Sequence, residues 1–131
     1  MKVEPSAAEL LEIARATILS EIAPALPEGQ RYCALMAANA LAIAGRDLAA
    51  PDAGAGELAR LAALLPGFAP AGGADAALRE ATARLAKAIR EGRFDAGEAR
   101  ASLLAHLRQT VRERLSVSNP RALVRDERTP T

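Results

Sequence analysis

Residues able to perform acid–base or nucleophilic chemistry are few in this sequence. His106 is the single histidine among 131 residues. Catalytic bases and metal centres usually combine a histidine with partner side chains. Ser102 precedes His106 by one helical turn, so a serine–histidine pair is conceivable, but no carboxylate lies three or four residues away to orient the imidazole. The pattern favours a histidine at the surface or at an interface, and we predict no catalytic residue.

Two further motifs are weak signals for cofactors or metals. Cys33 is the single cysteine and has no metal-ligand spacing, so we expect an inert buried thiol. The segment Gly54–Ala59, "GAGELA", matches half of a dinucleotide-binding fingerprint. That fingerprint works where a strand ends and a helix begins, and here a predicted helix and Pro51 precede it. We therefore predict neither a cofactor nor a metal.

An amide interrupts the most apolar part of the chain. From Cys33 to Gly45 every residue except Asn39 is apolar or glycine. A helix that is apolar on nearly all sides is expected to be central in a fold. A buried amide needs hydrogen-bond partners, so we interpret Asn39 as a structural pin inside the core. The alternative is a ligand or partner contact, which would leave this side chain exposed or lining a pocket.

Hydrophobic spacing and chain-breaking residues predict an all-α fold, an antiparallel bundle of about five helices. Ser6 and Glu9 form a capping-box pattern at the first helix, and Pro24 should end it. Gly92 is a natural C-cap. The predicted helices are about Ala7–Ile22, Gln30–Leu48, Gly56–Leu65, Ala76–Glu91 and Gly97–Ser116.

Each predicted helix carries an apolar stripe that should face the core. The outer two stripes are the clearest in the sequence. The first helix contributes Leu10, Ile13, Ala14, Thr17, Ile18 and Ile22, and the fifth contributes Leu103, Leu104, Leu107, Val111 and Leu115. The sequence predicts one helical domain over residues 1–120, followed by a loose tail over residues 121–131.

Composition and charge exclude several classes of protein. The longest apolar run is about thirteen residues, short of the roughly twenty that span a bilayer, and the N-terminus lacks a signal-peptide core. A cytoplasmic protein without a membrane segment is expected. Nucleic-acid binding is disfavoured because the net charge is only +1 and 2% of the residues are aromatic. Residues 1–78 carry five positive and nine negative charges, and residues 79–131 twelve and seven, so the two halves could attract each other within one fold or between molecules. We expect a homodimer, because an alanine-rich chain with few aromatic side chains should leave an apolar face for a partner.

Four segments of the chain form a familiar pattern. They are "PSAAELLEIA" (Pro5–Ala14), "AANALAIAGRDL" (Ala37–Leu48), "LAKAIREGRFD" (Leu85–Asp95) and "LLAHLRQTVRERLSVSNPRAL" (Leu103–Leu123). They resemble an uncharacterised bacterial family of small all-helical domains, and Asn39, the Arg46-Asp47 pair and the Asn119–Arg121 turn are the most distinctive matches. Members of that family stand alone, or are fused to or encoded beside kinase-like proteins of the aminoglycoside-phosphotransferase superfamily, often near acyl-CoA dehydrogenases.

The resemblance implies a non-catalytic accessory or interaction module, a partner or regulator of a phosphotransferase-like kinase in acyl-CoA or hydroxy-acid metabolism. An alternative is a helical bundle that binds an acyl or other apolar ligand. A third is a small enzyme acting through His106. Candidate structural or partner contacts are Asn39, Arg46, Asp47, Asn119 and Arg121. We expect Arg46 or Asp47 to bond to another segment, with the Asn119–Arg121 turn as the candidate.

Overall fold

The computed structural model describes residues 4–126 of the chain, and these residues form helices without any strand. The predicted all-α class is confirmed, and a sixth helix follows the five that the sequence predicts. The helices are α1 Ala7–Thr17, α2 Glu28–Leu48, α3 Ala53–Leu64, α4 Ala74–Arg90, α5 Gly97–Ser118 and α6 Pro120–Asp126.

Local capping explains where α1 begins and ends. The Ser6 backbone amide donates to Glu9 Oε2 at 2.7 Å, and the Glu9 amide donates to Ser6 Oγ at 3.3 Å, which confirms the capping box. After Thr17 the chain widens into a π-helical turn and then tightens into a 3₁₀ turn at Ala23–Ala25. The second turn contains Pro24, which has no amide to continue the α-helical ladder.

A glycine ends α4 as the sequence predicts. Gly92 has a φ of +79°, a left-handed conformation that residues with a Cβ rarely adopt. Its amide donates to the carbonyl of Ile89 at 3.0 Å, and the next amide, from Arg93, donates to the carbonyl of Ala88 at 3.1 Å. These two bonds make a Schellman motif, which satisfies carbonyls that the helix end leaves without partners.

The C-terminal segment differs from the prediction of a loose tail from residue 121. Pro120 begins α6, which continues to Asp126. Proline is well tolerated at the first position of a helix, because the amide it lacks would have no helical partner there. The same Asn119-Pro120 pair therefore ends one helix and starts the next. Residues 127–131 of the predicted tail lie outside the described part of the chain.

The described helices divide into two compact units. The N-terminal unit contains residues 4–51 and 116–121, and the C-terminal unit contains residues 52–115 and 122–126. The first therefore holds α1, α2 and the junction of α5 with α6. The second holds α3, α4 and most of α5. The extent of a single domain over residues 1–120 stays a prediction.

The C-terminal unit has the larger apolar core. Two aromatic side chains, Phe68 and Phe94, are each 9% exposed and pack with aliphatic residues of three helices. The Arg84 guanidinium lies 5.3 Å from the centroid of the Phe68 ring, which places a cation over an aromatic face. The remaining core residues are Leu61, Leu65, Ala81, Leu85, Ala88 and Leu103.

The N-terminal unit buries mostly small side chains. Ala23 and Ala38 are buried, whereas Leu10 and Ile13 on α1 are 53% and 57% exposed. The predicted inward orientation of Leu10 and Ile13 is therefore wrong. The sequence of α1 holds two overlapping apolar stripes, and the partly buried one includes Leu11 instead.

The buried face of α5 also differs from the prediction. Leu103 is buried as expected, but Leu107 and Val111 are 40% and 55% exposed. His106 and Thr110 occupy the buried face instead, at 6% and 7% exposure. Helical spacing defines both faces of α5 equally well. His106 on this face lies near charged residues of α3, which are described next.

Candidate functional site

Four of the five residues named from the sequence line one cleft in the N-terminal unit. Asn39 and Arg46 come from α2, and Asn119 and Arg121 come from the junction of α5 with α6. Arg15 of α1 joins them. We call this cleft, of about 310 Å³, the arginine cleft. Residues more than 70 positions apart in the sequence thus share one polar surface.

A hydrogen bond connects α2 with the end of α5 beside this cleft. Arg46 Nε donates to the main-chain carbonyl oxygen of Val117 at 2.5 Å. The bond satisfies a carbonyl at the end of α5, where helical partners run out. It confirms the expected contact of Arg46 with another segment, two residues before the Asn119–Arg121 turn. Asp47 is exposed and does not line the cleft.

The predicted burial of Asn39 is wrong. Its side chain is exposed and lines the arginine cleft, while the neighbouring Ala38 is 2% exposed. The reason is that α2 packs through one face of small residues and leaves another face open. Leu35 and Met36 on that open side are 46% and 50% exposed. Asn39 therefore has the position that the ligand-contact or partner-contact alternative requires.

Cys33 is also exposed, contrary to the buried thiol that the sequence predicts. It lies on α2, whose sides are not all covered within the N-terminal unit. Its Sγ contacts the carbonyl of Gly29 at 3.9 Å. Residues 4–126 contain no group of three or more histidine, cysteine or acidic side chains suited to hold a metal ion.

A second polar site lies between α3 and α5 in the C-terminal unit. Arg60 donates from its two terminal nitrogens to the carboxylate of Glu113, and Gln109 Nε2 donates to the same carboxylate at 2.9 Å. Arg114 forms an ion pair with Glu57 at 3.3 Å. The hydrogen bond from Arg60 lowers the pKa of the Glu113 carboxyl, and the bond from Gln109 acts in the same direction.

His106 is buried beside these ion pairs, so the predicted surface position is wrong. Burial is the main cause that lowers the pKa of His106, and the positive charge of Arg60 acts in the same direction. The carboxylates of Glu57 and Glu113 oppose this shift. His106 Nδ1, Thr110 Oγ1 and Arg60 Nε are buried without a hydrogen-bond partner among residues 4–126. Sequence spacing did not reveal these two glutamates as neighbours of His106, because Glu113 lies two helical turns further along α5 and Glu57 comes from α3.

A cleft of about 640 Å³ opens beside His106, and we call it the histidine cleft. Its polar lining includes Arg60, Glu98 and Ser102. Ser102 and His106 form no hydrogen bond with each other among residues 4–126, so the pair that the sequence suggested has no structural support there. The apolar lining consists of Ala63, Leu64, Phe94, Ala99 and Ala105.

The glycine motif at residues 54–59 lies inside α3, which begins at Ala53. A dinucleotide fingerprint needs a strand immediately before it, and no strand occurs in residues 4–126. The motif therefore lacks the required structural setting. No single helix in this part of the chain is both long and apolar enough to cross a bilayer.

The described residues define an all-α protein. Residues 24–122 match the model of a family described as a domain of unknown function, DUF6285. This match covers most of the chain, and the protein belongs to that family. No curated protein and no solved structure matches the chain.

Proposed function

We propose that the protein is a non-catalytic helical accessory module that binds a kinase-like protein of the aminoglycoside-phosphotransferase superfamily. The partner is expected to act in acyl-CoA or hydroxy-acid metabolism, as the sequence resemblance implies. The observation that supports a binding role most directly is an apolar stripe that α5 leaves exposed. Contiguous exposed apolar surface on a small domain is typical of a protein-interaction site.

The stripe forms a groove together with the first turn of α6. Leu104, Leu107 and Val111 are 39%, 40% and 55% exposed along α5. With Leu115, Ala122 and Leu123 they line a groove of about 600 Å³, which we call the α5 groove. An amphipathic helix of a partner can place its apolar face in a groove of this kind.

Two arginines give the α5 groove a charge preference. Arg108 and Arg112 are one turn apart on α5, and both line the groove. A partner helix with acidic residues beside its apolar face would complement them, which favours correct orientation and fast association. The contacts proposed for Asn39, Asn119 and Arg121 lie in the other unit, and their role toward a partner stays a prediction.

Co-purification with the kinase-like protein tests this proposal. The parent chain should retain that protein, and Leu107→Glu should release it, because a charge in the centre of the groove must be desolvated on binding. Ile13→Glu is a matched control, since Ile13 is a similarly exposed apolar residue on α1, outside the groove. Equal retention of the partner by both variants would refute the α5 groove as the binding surface.

Self-association is a separate proposal that the same variants address. A second copy could cover the α5 groove, because its acidic N-terminal sequence complements Arg108 and Arg112. Light scattering should then give a mass near twice the 13.6 kDa of one chain, and Leu107→Glu should reduce it. A mass of one chain for the parent at micromolar concentration would count against a homodimer.

Binding of an acyl or other apolar ligand is a second candidate function. The histidine cleft supports it, because its volume of about 640 Å³ falls in the usual range for ligand sites and much of its lining is apolar. A fluorescent fatty-acid probe should bind the parent. Ala105→Trp should fill the cleft and abolish binding, whereas Ala83→Trp, at an exposed position of α4 outside the cleft, should not.

A further inference from the structure

The arginine cleft concentrates positive charge and amide groups without a negative lining residue. Arg15, Arg46 and Arg121 line it together with the amides of Asn39 and Asn119. No described aspartate or glutamate is among its lining residues. Guanidinium and amide groups supply hydrogen-bond donors, so the chemistry of this surface suits an anion with several oxygen atoms.

The arginines retain donors that the protein does not use. Arg46 donates through Nε to Val117, and its two terminal nitrogens have no hydrogen-bond partner among residues 4–126. Arg121 forms no ion pair with the described residues. Arg15 holds Glu12 through Nη1 at 2.9 Å, but the Glu12 side chain is 64% exposed, so water weakens this pair.

The bond from Arg46 to Val117 also gives the cleft a defined shape. It holds one guanidinium against the end of α5, immediately before the segment that supplies Asn119 and Arg121. A guanidinium that is fixed before binding loses less rotamer freedom when it takes a ligand. The site is therefore partly preorganised by contacts within the N-terminal unit.

We propose that the arginine cleft binds the phosphate monoester group of a small phosphorylated molecule. A monoester carries a charge between about −1.5 and −2 at neutral pH and has three terminal oxygens. Three arginines complement a phosphate monoester better than they complement a carboxylate, because a carboxylate carries only one charge on two oxygens. The volume of about 310 Å³ suits a phosphate group with a short attached body. This site is separate from the α5 groove, so it does not rest on the proposed partner.

Titration with methyl phosphate, followed by two-dimensional NMR of the full-length chain, tests the proposal. Saturable shifts should centre on Asn39, Asn119 and the three arginines. Arg121→Gln should weaken binding about tenfold, because it removes a charge-assisted pair of hydrogen bonds. Arg121→Lys should give an intermediate loss, since lysine keeps the charge but not the forked geometry. Arg79→Gln, at an exposed position of α4, is the matched control and should bind like the parent.

Two other probes separate the monoester from related anions. Dimethyl phosphate has one charge, like the backbone of a nucleic acid, and acetate is the simplest carboxylate. Both should bind at least about tenfold more weakly than methyl phosphate if charge and oxygen count decide selectivity. Binding of methyl phosphate should also strengthen from about pH 5 to about pH 7.5, as its second proton is lost with a pKa near 6.

Three results would overturn the assignment. One is the absence of saturable shifts at the cleft in a folded parent chain. Another is equal binding by the parent and by Arg121→Gln, whose folding the same spectra verify. The third is binding of dimethyl phosphate or acetate as tight as that of methyl phosphate, which would make the cleft a general anion site.

Discussion

The guanidinium of Arg60 on α3 donates two parallel hydrogen bonds to the carboxylate of Glu113 on α5, at 3.0 and 2.5 Å. The two side chains are 29% and 28% exposed. A forked, partly buried pair of this kind is stronger than an ordinary surface ion pair. It joins α3 to α5 beside the buried side chain of His106.

Replacing Arg60 with Met should lower the free energy of unfolding by about 1–3 kcal/mol, because Glu113 loses both charge-assisted hydrogen bonds from the guanidinium. Lys87→Met is the control. Lys87 pairs with Glu91 at 3.7 Å and is 74% exposed. Its loss should cost less than about 0.5 kcal/mol. Urea unfolding of both variants measures the difference, and equal costs would contradict the prediction.

Stability should depend on pH through His106. Its pKa lies below the ordinary 6.5 because burial and Arg60 outweigh the opposing carboxylates of Glu57 and Glu113; Arg114 adds a small effect in the direction of Arg60. The unfolded chain therefore binds more protons than the native one in the interval below 6.5. The free energy of unfolding should be steady above that pH and should fall as the pH drops below it.

Urea unfolding of His106→Gln at several pH values provides the comparison. The variant has no titrating group at this position, so its stability should change less between about pH 7 and pH 5.5. The slope with pH is the measured quantity, because the substitution also changes packing. Glu113 contributes a separate loss below its ordinary pKa of 4.5, outside this interval. Identical slopes for parent and variant would exclude a role for His106.

Gly92→Ala should destabilise the protein by about 1–2 kcal/mol, the cost of a left-handed conformation for a residue with a Cβ. An added Cβ would also lie 3.0 Å from Asp95 Oδ2. Gly45→Ala is the opposite case, because Gly45 lies within α2 and has open space around it. That variant should gain about 0.5–1 kcal/mol from helix propensity. Thermal melting of the pair should show shifts of opposite sign.

Asn39→Ala should leave stability within about 0.5 kcal/mol of the parent, because the side chain is exposed. The neighbouring position provides the contrast. Ala38 is 2% exposed, and Ala38→Leu should cost about 1–3 kcal/mol through overpacking. A large drop in the melting midpoint of Asn39→Ala would restore the structural-pin interpretation.

Local interactions made much of the helical structure predictable. The capping box of Ser6 and Glu9 and the C-cap at Gly92 depend on residues within a few positions of each other. The ends of α2 and α5 likewise agree with the predicted ends within two residues. Pro120 shows the limit of such signals, because one proline is compatible both with the end of a helix and with the start of another.

The sequence by itself determined the all-α class and most helix boundaries. Tertiary structure decided which faces are buried, because one helix can carry two apolar stripes and periodicity does not say which meets a neighbour. It placed His106 on the buried face of α5 and left Leu107 exposed. The ion pair between Arg60 of α3 and Glu113 of α5 joins the two helices beside that histidine. It also joined Arg46 to Val117 across 71 residues, a contact that chain folding alone creates.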